Sequence, residues 1–319
     1  MKRSEKNKKR KILPWVIVII LILVGGVAGF GLMVYKDLTN TAKNIHTDLK
    51  RDKSDKREEA INVKDLHPFS VLVLGVDERK DDAGRSDTMV VLTVNPQQKS
   101  TKLLSIPRDT LTEIVGKDFN DKINHAYAYG GIKMSLNTVE HFLDIPIDYV
   151  VQVNMESFKD IVDAVGGIDL KNDFAFSWGG KDFPVGTVHL NGEQALAYVR
   201  MRYEDPRGDF GRQDRQKNVI QAVLKKGASV NTLFNYGDIF KAIEKNVRTN
   251  LTFDEMVDIQ SNYRDATKKI DQLYSGDGDG QMIDGVWYYI YDDKELLSIK
   301  NDLRKHLELP PVETLNNEE

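Results

Sequence analysis

The chain has 319 residues, of which 29% are charged and 40% apolar, so it is neither fibrous nor disordered and has material for one sizeable core. It contains no cysteine, which excludes thiol catalysis, thiolate metal sites and disulfides. The formal net charge is −4, divided between a basic start of +6 and a remainder of −10; so acidic a remainder excludes a general nucleic-acid binder.

Lys2, Arg3, Lys6, Lys8, Lys9, Arg10 and Lys11 stand against one acid, Glu5. Residues 12–35 then carry no charge, and 15 of these 24 are Val, Ile, Leu or Phe. Such residues favour membrane insertion by roughly 5 to 9 kcal/mol in total, offset in part by Pro14, Gly25, Gly26, Gly29 and Gly31. The run is long enough for a hydrocarbon core of about 30 Å. A buried core helix would be shorter and amphipathic. A cleaved signal peptide would have a shorter apolar run and a small-x-small site, for which Val27, Gly29 and Gly31 leave some room. A retained transmembrane helix is the favoured reading. The positive-inside rule then keeps the tail in the cytoplasm and exports the rest.

The charge-dense residues 36–66 read as a helical or flexible stalk. Phe69 to Val76, Met89 to Val94 and Thr101 to Ile106 are near-continuous apolar runs, suited to strands buried on both faces. Pro107 stops the third. Helices are expected over Gly131 to Phe142, from a Ser157 cap to Val165, from an Asn191 cap to Tyr198, and from Asp209 to Lys226. Further helices are expected over Leu233 to Val247, Phe253 to Ala266 and Asp293 to Leu307. Ile145 to Val153 reads as a strand, and a hairpin is expected at Asp284 and Gly285. Gly276 to Gly280 lacks the ligand spacing of a calcium loop and reads as a turn. Strands alternating with helices predict an α/β fold, an α-β-α sandwich around a mixed central sheet. The expected organisation is a tail (1–11), a membrane helix (12–35), a stalk (36–66), one domain (67–309) and a C-terminal tail (310–319).

In open α/β sheets ligands bind beyond the carboxyl ends of strands. Asp77 follows the first strand, Arg85 and Asp87 precede the second, and Arg108 and Asp109 follow the third. Arg200, Arg202, Arg207, Arg212 and Arg215 form a second group, with Arg212 and Gln216 sharing one helix face. Against these arginines stand Glu204, Asp205, Asp209 and Asp214, so local ion pairing on a solvated surface is one reading. The other is a bidentate anion site, favoured by a concentration of arginine in an acidic domain. Asp77 and Asp87 could cap turns, or share a Mg²⁺ ion that retains water and phosphate ligands. No Gly-x-Ser-x-Gly elbow, Walker loop or His-Glu-x-x-His motif is present. His125 is a better scaffold than catalyst.

Taken together, Leu74-Gly75-Val76-Asp77, Arg85-Ser86-Asp87, Ser105-Ile106-Pro107-Arg108-Asp109, Lys122-Ile123-Asn124-His125, Ala197-Tyr198-Val199-Arg200-Met201-Arg202 and Asp209-Phe210-Gly211-Arg212-Gln213-Asp214-Arg215-Gln216 resemble the LytR–CpsA–Psr family. The resemblance reaches from the basic tail to about Leu307. It implies an extracytoplasmic, membrane-anchored enzyme of mostly Gram-positive bacteria. Such an enzyme moves a glycopolymer, wall teichoic acid foremost, as a sugar phosphate from a polyprenyl pyrophosphate carrier to peptidoglycan. The implied roles are Asp77 and Asp87 for Mg²⁺, and Arg85, Arg108, Arg200, Arg202, Arg212 and Gln216 for the pyrophosphate. Asp209 could take the acceptor's proton or, as well, cap its helix. The lipid would need an apolar trough between helices and sheet. A lipid pyrophosphatase and a membrane-tethered lipid-binding regulator are the alternatives.

Overall fold

The computed structural model describes residues 35–76, 84–202, 204–227, 244, 247–274 and 278–315. The apolar segment expected to span the membrane lies outside these residues, apart from Tyr35. Among the described residues no helix is long and apolar enough to cross a membrane.

A helix α1 covers 35–45. Three strands follow, β1 (Phe69–Val76), β2 (Ser86–Asn95) and β3 (Ser100–Ser105). They are joined antiparallel. A small hairpin, β4 (Leu111–Glu113) with β5 (Asn120–Lys122), leads into helix α2 (His125–Leu143). Strand β6 (Tyr149–Asn154) returns parallel to β1. Helix α3 (Met155–Ala164) comes next. It is capped by Asn154, whose side chain accepts from Glu156 N and Ser157 N. The cap is therefore Asn154 rather than Ser157, because its carbonyl oxygen reaches two free N–H groups of the first turn.

Four short strands, β7 (Ile168–Asn172), β8 (Phe176–Trp178), β9 (Lys181–Phe183) and β10 (Gly186–Leu190), form two small two-stranded sheets. Helix α4 (Gly192–Arg200) starts at a capping box between Asn191 and Gln194. Helix α5 (Asp209–Gly227) follows. Most of the helix expected over Leu233 to Val247 lies outside the described residues, and Val247 itself opens strand β11 (Val247–Thr249). The chain ends with α6 (Phe253–Asn262), β12 (Lys269–Leu273), β13 (Asp279–Ile283), β14 (Val286–Ile290) and α7 (Asp293–His306). Asp284 and Gly285, both at positive φ, make the hairpin turn between β13 and β14. Asp279 and Gly280, expected in a turn, lie in β13.

The central sheet has six strands in the order β11-β6-β1-β2-β3-β12. It is mixed: β1 with β6 and β3 with β12 are parallel, and the other pairs antiparallel. Residue alternation divides its faces. Leu72, Leu74, Val76, Met89, Val91 and Leu104 pack tightly against Leu136, Val139 and Phe142 of α2 and Ile299 and Leu303 of α7. Val71 and Val73 point the other way and remain only half-buried, although Val90, Leu92 and Leu103 beside them are buried. The second face is covered by α5 and its neighbours less closely, and a cavity of about 700 Å³ lies there.

Residues 36–66 do not stand off as a stalk. Ala42, Ile45, Leu49 and Val63 are buried. Arg51 Nη1 pairs with Glu140 Oε2 at 2.7 Å. Arg57 grips both oxygens of Asp148, at 2.6 and 2.8 Å. The charge density that suggested a free segment instead serves bidentate pairing with acids of the domain. The C-terminal tail is also tied down at its start, where Asn301 exchanges hydrogen bonds with the backbone of Val312.

Candidate active site

The cavity is lined by apolar side chains of β1, β6, α3 and α5, with Asp87, Arg200, Arg212 and Gln216 also in its wall. Both Phe69 and Val76, the two ends of β1, line it, so it extends about 23 Å along the strand at about 3.3 Å per residue. Polar residues line both ends, Gln260, Arg264 and Thr267 toward Phe69, and Asp87 with Gln216 at the carboxyl end of β1. This is the end of a sheet where the connections between strands leave room for ligands.

Asp87 and Arg108 come together because β2 and β3 are antiparallel neighbours. Arg108 Nη1 donates to Asp87 Oδ1 at 2.9 Å. Arg108 Nε lies 3.5 Å from Asp109 Oδ2, and Lys122 Nζ lies 2.8 Å from Asp109 Oδ1. Burial by itself would lower the Arg108 pKa, but Asp87 and Asp109 raise it above its ordinary value.

Helix α5 supplies the opposite wall. Gln216 Nε2 donates to Thr88 Oγ1 at 2.9 Å. Gly75 permits this approach, since a Cβ there would stand 2.8 Å from Thr88 Cβ. One turn earlier, Arg212 Nη2 lies 2.7 Å from Asp209 Oδ1, and Arg202 Nε lies 3.8 Å from the same oxygen. Burial lowers the Arg212 pKa; Asp209 opposes this, while Arg108 and Arg202 add to it. Asp209 does not cap its helix. Its Oδ2 accepts from Gln213 Nε2 at 3.1 Å, and its Oδ1 faces the arginines.

Arg108 Nε and Arg212 Nε are buried and make no hydrogen bond. An unmet buried polar group costs about 1–3 kcal/mol, and more when charged. Two guanidinium donors in this state fit an incoming oxyanion.

The expected site residues are therefore not all equivalent. Asp87 pairs with Arg108, Asp209 pairs with Arg202 and Arg212, and the two groups are near enough for Asp209 to act on Arg108 and for Arg108 and Asp87 to act on Arg212 by charge; Arg200 and Gln216 share the cavity wall with Asp87 and Arg212. Arg85 is exposed, outside that wall, and its charge is felt at Tyr129. Asp77 lies outside the described residues. Among the described residues no group of three or more His, Asp or Glu side chains could hold a metal. Lys122, Thr88 and the bridging role of Asp109 were not assigned from sequence. The run Lys122 to His125 was the available signal for the first of them.

The local ion-pair reading holds for the remaining two arginines. Arg207 pairs with Asp205 and Asp214. Arg215, with 3% of its side chain exposed, pairs with Asp205. It also donates to the carbonyls of Tyr198 and Met201, and lies over the rings of Phe174, Phe176 and Tyr198. Gly211 allows this packing, because a Cβ there would stand 1.8 Å from Asp205 Oδ2.

Fold and site together define an α/β protein with a cluster of arginines and carboxylates opening onto a long apolar cavity. The chain matches the LytR_cpsA_psr family over residues 32–305, and it belongs to that family. It is 53% identical over 302 residues to the polyisoprenyl-teichoic acid–peptidoglycan teichoic acid transferase TagU of Bacillus mycoides, with 94% of this chain and 99% of that one covered. The crystal structure of B. subtilis TagU is similar at a TM-score of 0.62 and 50% identity, covering 77% of this chain and 99% of that one. A structure of TagT bound to LIIa-WTA is similar at a TM-score of 0.71 and 31% identity, covering 82% of this chain and 98% of that one.

Proposed function

We propose that this chain transfers an anionic glycopolymer, wall teichoic acid, as its sugar phosphate from a polyprenyl pyrophosphate to a hydroxyl of peptidoglycan. The observation that carries this reading is the pair of buried, unmet guanidinium N–H donors on Arg108 and Arg212 beside a cavity of about 700 Å³ with apolar walls. A pyrophosphate satisfies the donors, and a prenyl chain fills the cavity. Relatives named as teichoic acid transferases at half-identity over nearly the full chain support the same reading.

Phosphoryl transfer asks the protein chiefly for position and charge stabilisation. Arg108, Arg202 and Arg212 would hold the pyrophosphate oxygens, with Arg200 at the same wall and Arg85 further out. The acceptor oxygen bonds to the sugar-linked phosphorus. The bond from that phosphorus to the bridging oxygen breaks, and polyprenyl phosphate leaves with the electron pair. Asp209, whose Oδ1 also pairs with Arg212 Nη2, would accept the hydroxyl's proton. Charge on the leaving phosphate grows where the arginines stand.

The carboxylate of Asp87 is partly exposed beside the arginines. Hard oxygen donors of this type suit Mg²⁺, with Asp77 as the second carboxylate. When bound, Mg²⁺ would neutralise pyrophosphate oxygens that the arginines leave unmet. Anchoring by the apolar segment 12–35, with the domain outside the cell, would keep the site on the surface that holds the lipid donor.

The test is to incubate the full chain in lipid nanodiscs with polyprenyl-pyrophosphate glycan and a peptidoglycan oligomer, with Mg²⁺ or EDTA. A glycan–phosphate–peptidoglycan adduct formed only with Mg²⁺ is the expected result. Release of glycan phosphate to water in the presence of acceptor would instead establish a hydrolase. Lipid binding with no turnover would establish a carrier or regulator.

A further inference from the structure

The first turn of α2 is set apart from the rest of that helix. Gly130 and Gly131 break it, with Gly131 at φ 63° and ψ −151°, a conformation that favours glycine. The detached turn presents His125 and Tyr129, four residues apart and so on one face. Both converge on Asp121. His125 Nδ1 and Tyr129 Oη each lie 2.7 Å from Asp121 Oδ2. Tyr288 Oη, from β14, lies 3.4 Å from Asp121 Oδ1. Because a carboxylate only accepts, Nδ1 is the donor of that pair.

Round this carboxylate stand aromatic rings that the core does not use. Tyr129 is 42% exposed and Phe119 45%. Their rings meet edge to face, with centroids 5.7 Å apart. Cations flank them. Lys117 Nζ lies 5.7 Å over the Tyr129 ring and Lys122 Nζ 5.7 Å over the Tyr288 ring. The patch adjoins the arginine site through Lys122, which pairs with Asp109 beside Arg108. Of the two exposed rings, Tyr129 is held by Asp121 and Phe119 packs against Tyr129.

We infer that this aromatic, cation-flanked patch is the subsite for the acceptor, a glycan strand bearing carboxylates, which it holds next to the arginine cluster. The inference rests on the proposed transfer to peptidoglycan and specifies where that acceptor lies. A sugar ring has an apolar C–H face and a rim of hydroxyl and amide groups. Tyr129, Phe119 and Tyr288 offer rings for the face. The Tyr129 and Tyr288 hydroxyl oxygens, whose hydrogens go to Asp121, and the second ring nitrogen of His125 offer partners for the rim. Lys117 matches the negative charge of a carboxylate-bearing strand, in a domain that is otherwise acidic, while Lys122 is already paired with Asp109. A rigid, hydrogen-bonded tyrosine loses little rotamer freedom on binding, which favours this residue type at a recognition surface.

The test has two arms, both on the full chain in nanodiscs. In the first, an uncross-linked peptidoglycan tetrasaccharide is titrated and binding is read by NMR line broadening. No turnover is needed. Tyr129→Ala and Tyr288→Ala should each weaken binding about fivefold, and Tyr129→Phe should restore most of it. In the second arm, transfer kinetics should show a raised acceptor KM for Tyr129→Ala with the polyprenyl donor's dissociation constant unmoved. Equal glycan binding by wild type and both alanine variants overturns the subsite. That outcome with transfer still running leaves the proposed function standing. Glycan binding that depends on Tyr129, in a protein that transfers nothing, keeps the subsite and sinks the reaction. A Tyr129→Ala defect in donor binding alone reassigns the patch to the donor and also overturns the inference.

Discussion

Arg212 and Arg215 leave the same helix three residues apart, yet one lines the cavity and the other is locked on Asp205. Arg212 keeps a buried Nε without a hydrogen bond, whereas Arg215 spends its donors on Asp205 and on the carbonyls of Tyr198 and Met201. The first keeps a donor open beside the cavity and the second holds α5 against α4.

Removing Arg215 should therefore unfold rather than inactivate. Arg215→Ala leaves Asp205 buried with only Arg207 as a partner, a type of loss that costs about 3–5 kcal/mol. Urea denaturation should show that drop. Arg215→Lys should rescue little of it, since an ammonium cannot reach two carbonyls and a carboxylate in one plane. A variant as stable as wild type would remove the structural role.

Arg108→Ala should behave in the opposite way. A charge-assisted hydrogen bond contributes about 1.5–3 kcal/mol, so the transfer rate should fall at least about tenfold. Stability should change little, because Asp87 is partly exposed and can be solvated. Arg108→Lys keeps the charge but loses the fork, and should remain clearly impaired. Full transfer activity in folded Arg108→Ala would dismiss the pyrophosphate assignment.

Filling the cavity should separate lipid recognition from chemistry. Val223 lines it from α5. Val223→Trp adds a bulky ring where a prenyl chain would run, while the arginines and Asp87 remain in place. Turnover of a long-chain donor should fall about tenfold or more, by analogy with the 1–3 kcal/mol cost of overpacking. A donor analogue with a short prenyl tail should be much less affected. Equal losses for both tails would mean that the lipid lies elsewhere.

His306 should give the fold an acid weakness. Its ring is 1% exposed, with Nδ1 2.7 Å from Thr93 Oγ1 and Nε2 2.9 Å from Ser100 Oγ. Burial, with Lys102 nearby, pushes its pKa down to about 4, against an unfolded value of about 6.5. Between those values the unfolded chain binds the proton more tightly, so stability rises with pH there. The contribution is fully present above about pH 6.5 and is lost, to about 3 kcal/mol, as pH falls toward about 4. Urea midpoints at pH 7 and pH 4.5 should differ more for wild type than for His306→Gln. Matching differences in the two proteins would eliminate His306 as the source.

Much of the fold was legible because local chemistry and tertiary structure agree. The three apolar runs became β1, β2 and β3, and the Asn191 cap and the Asp284-Gly285 turn both formed. Strands of three residues, such as β4, β5, β8 and β9, are too short to show a period, and β12 is half polar because it is an edge strand. The segment 36–66 was misread for a related reason. Its apolar anchors Ala42, Ile45, Leu49 and Val63 are spaced irregularly among charges, and only their burial shows that the segment belongs to the domain.

By itself the sequence determined which residue types were present for the chemistry and in what order. It supplied arginines in place of lysines, carboxylates after strands, helix signals before and after them, and an uncharged run next to a basic tail. Only the tertiary structure decided which arginine lines the cavity. Helical spacing gives the angle between Arg212 and Arg215, but packing sets which angle faces the cavity. The cavity itself was beyond the sequence as well. Val71, Val73, Val219 and Val223 follow the same alternation as core residues, and whether facing side chains meet or leave a space between them depends on the distance between α5 and the sheet. That distance is set by contacts elsewhere, Gln216 on Thr88 and Arg215 on Asp205 among them.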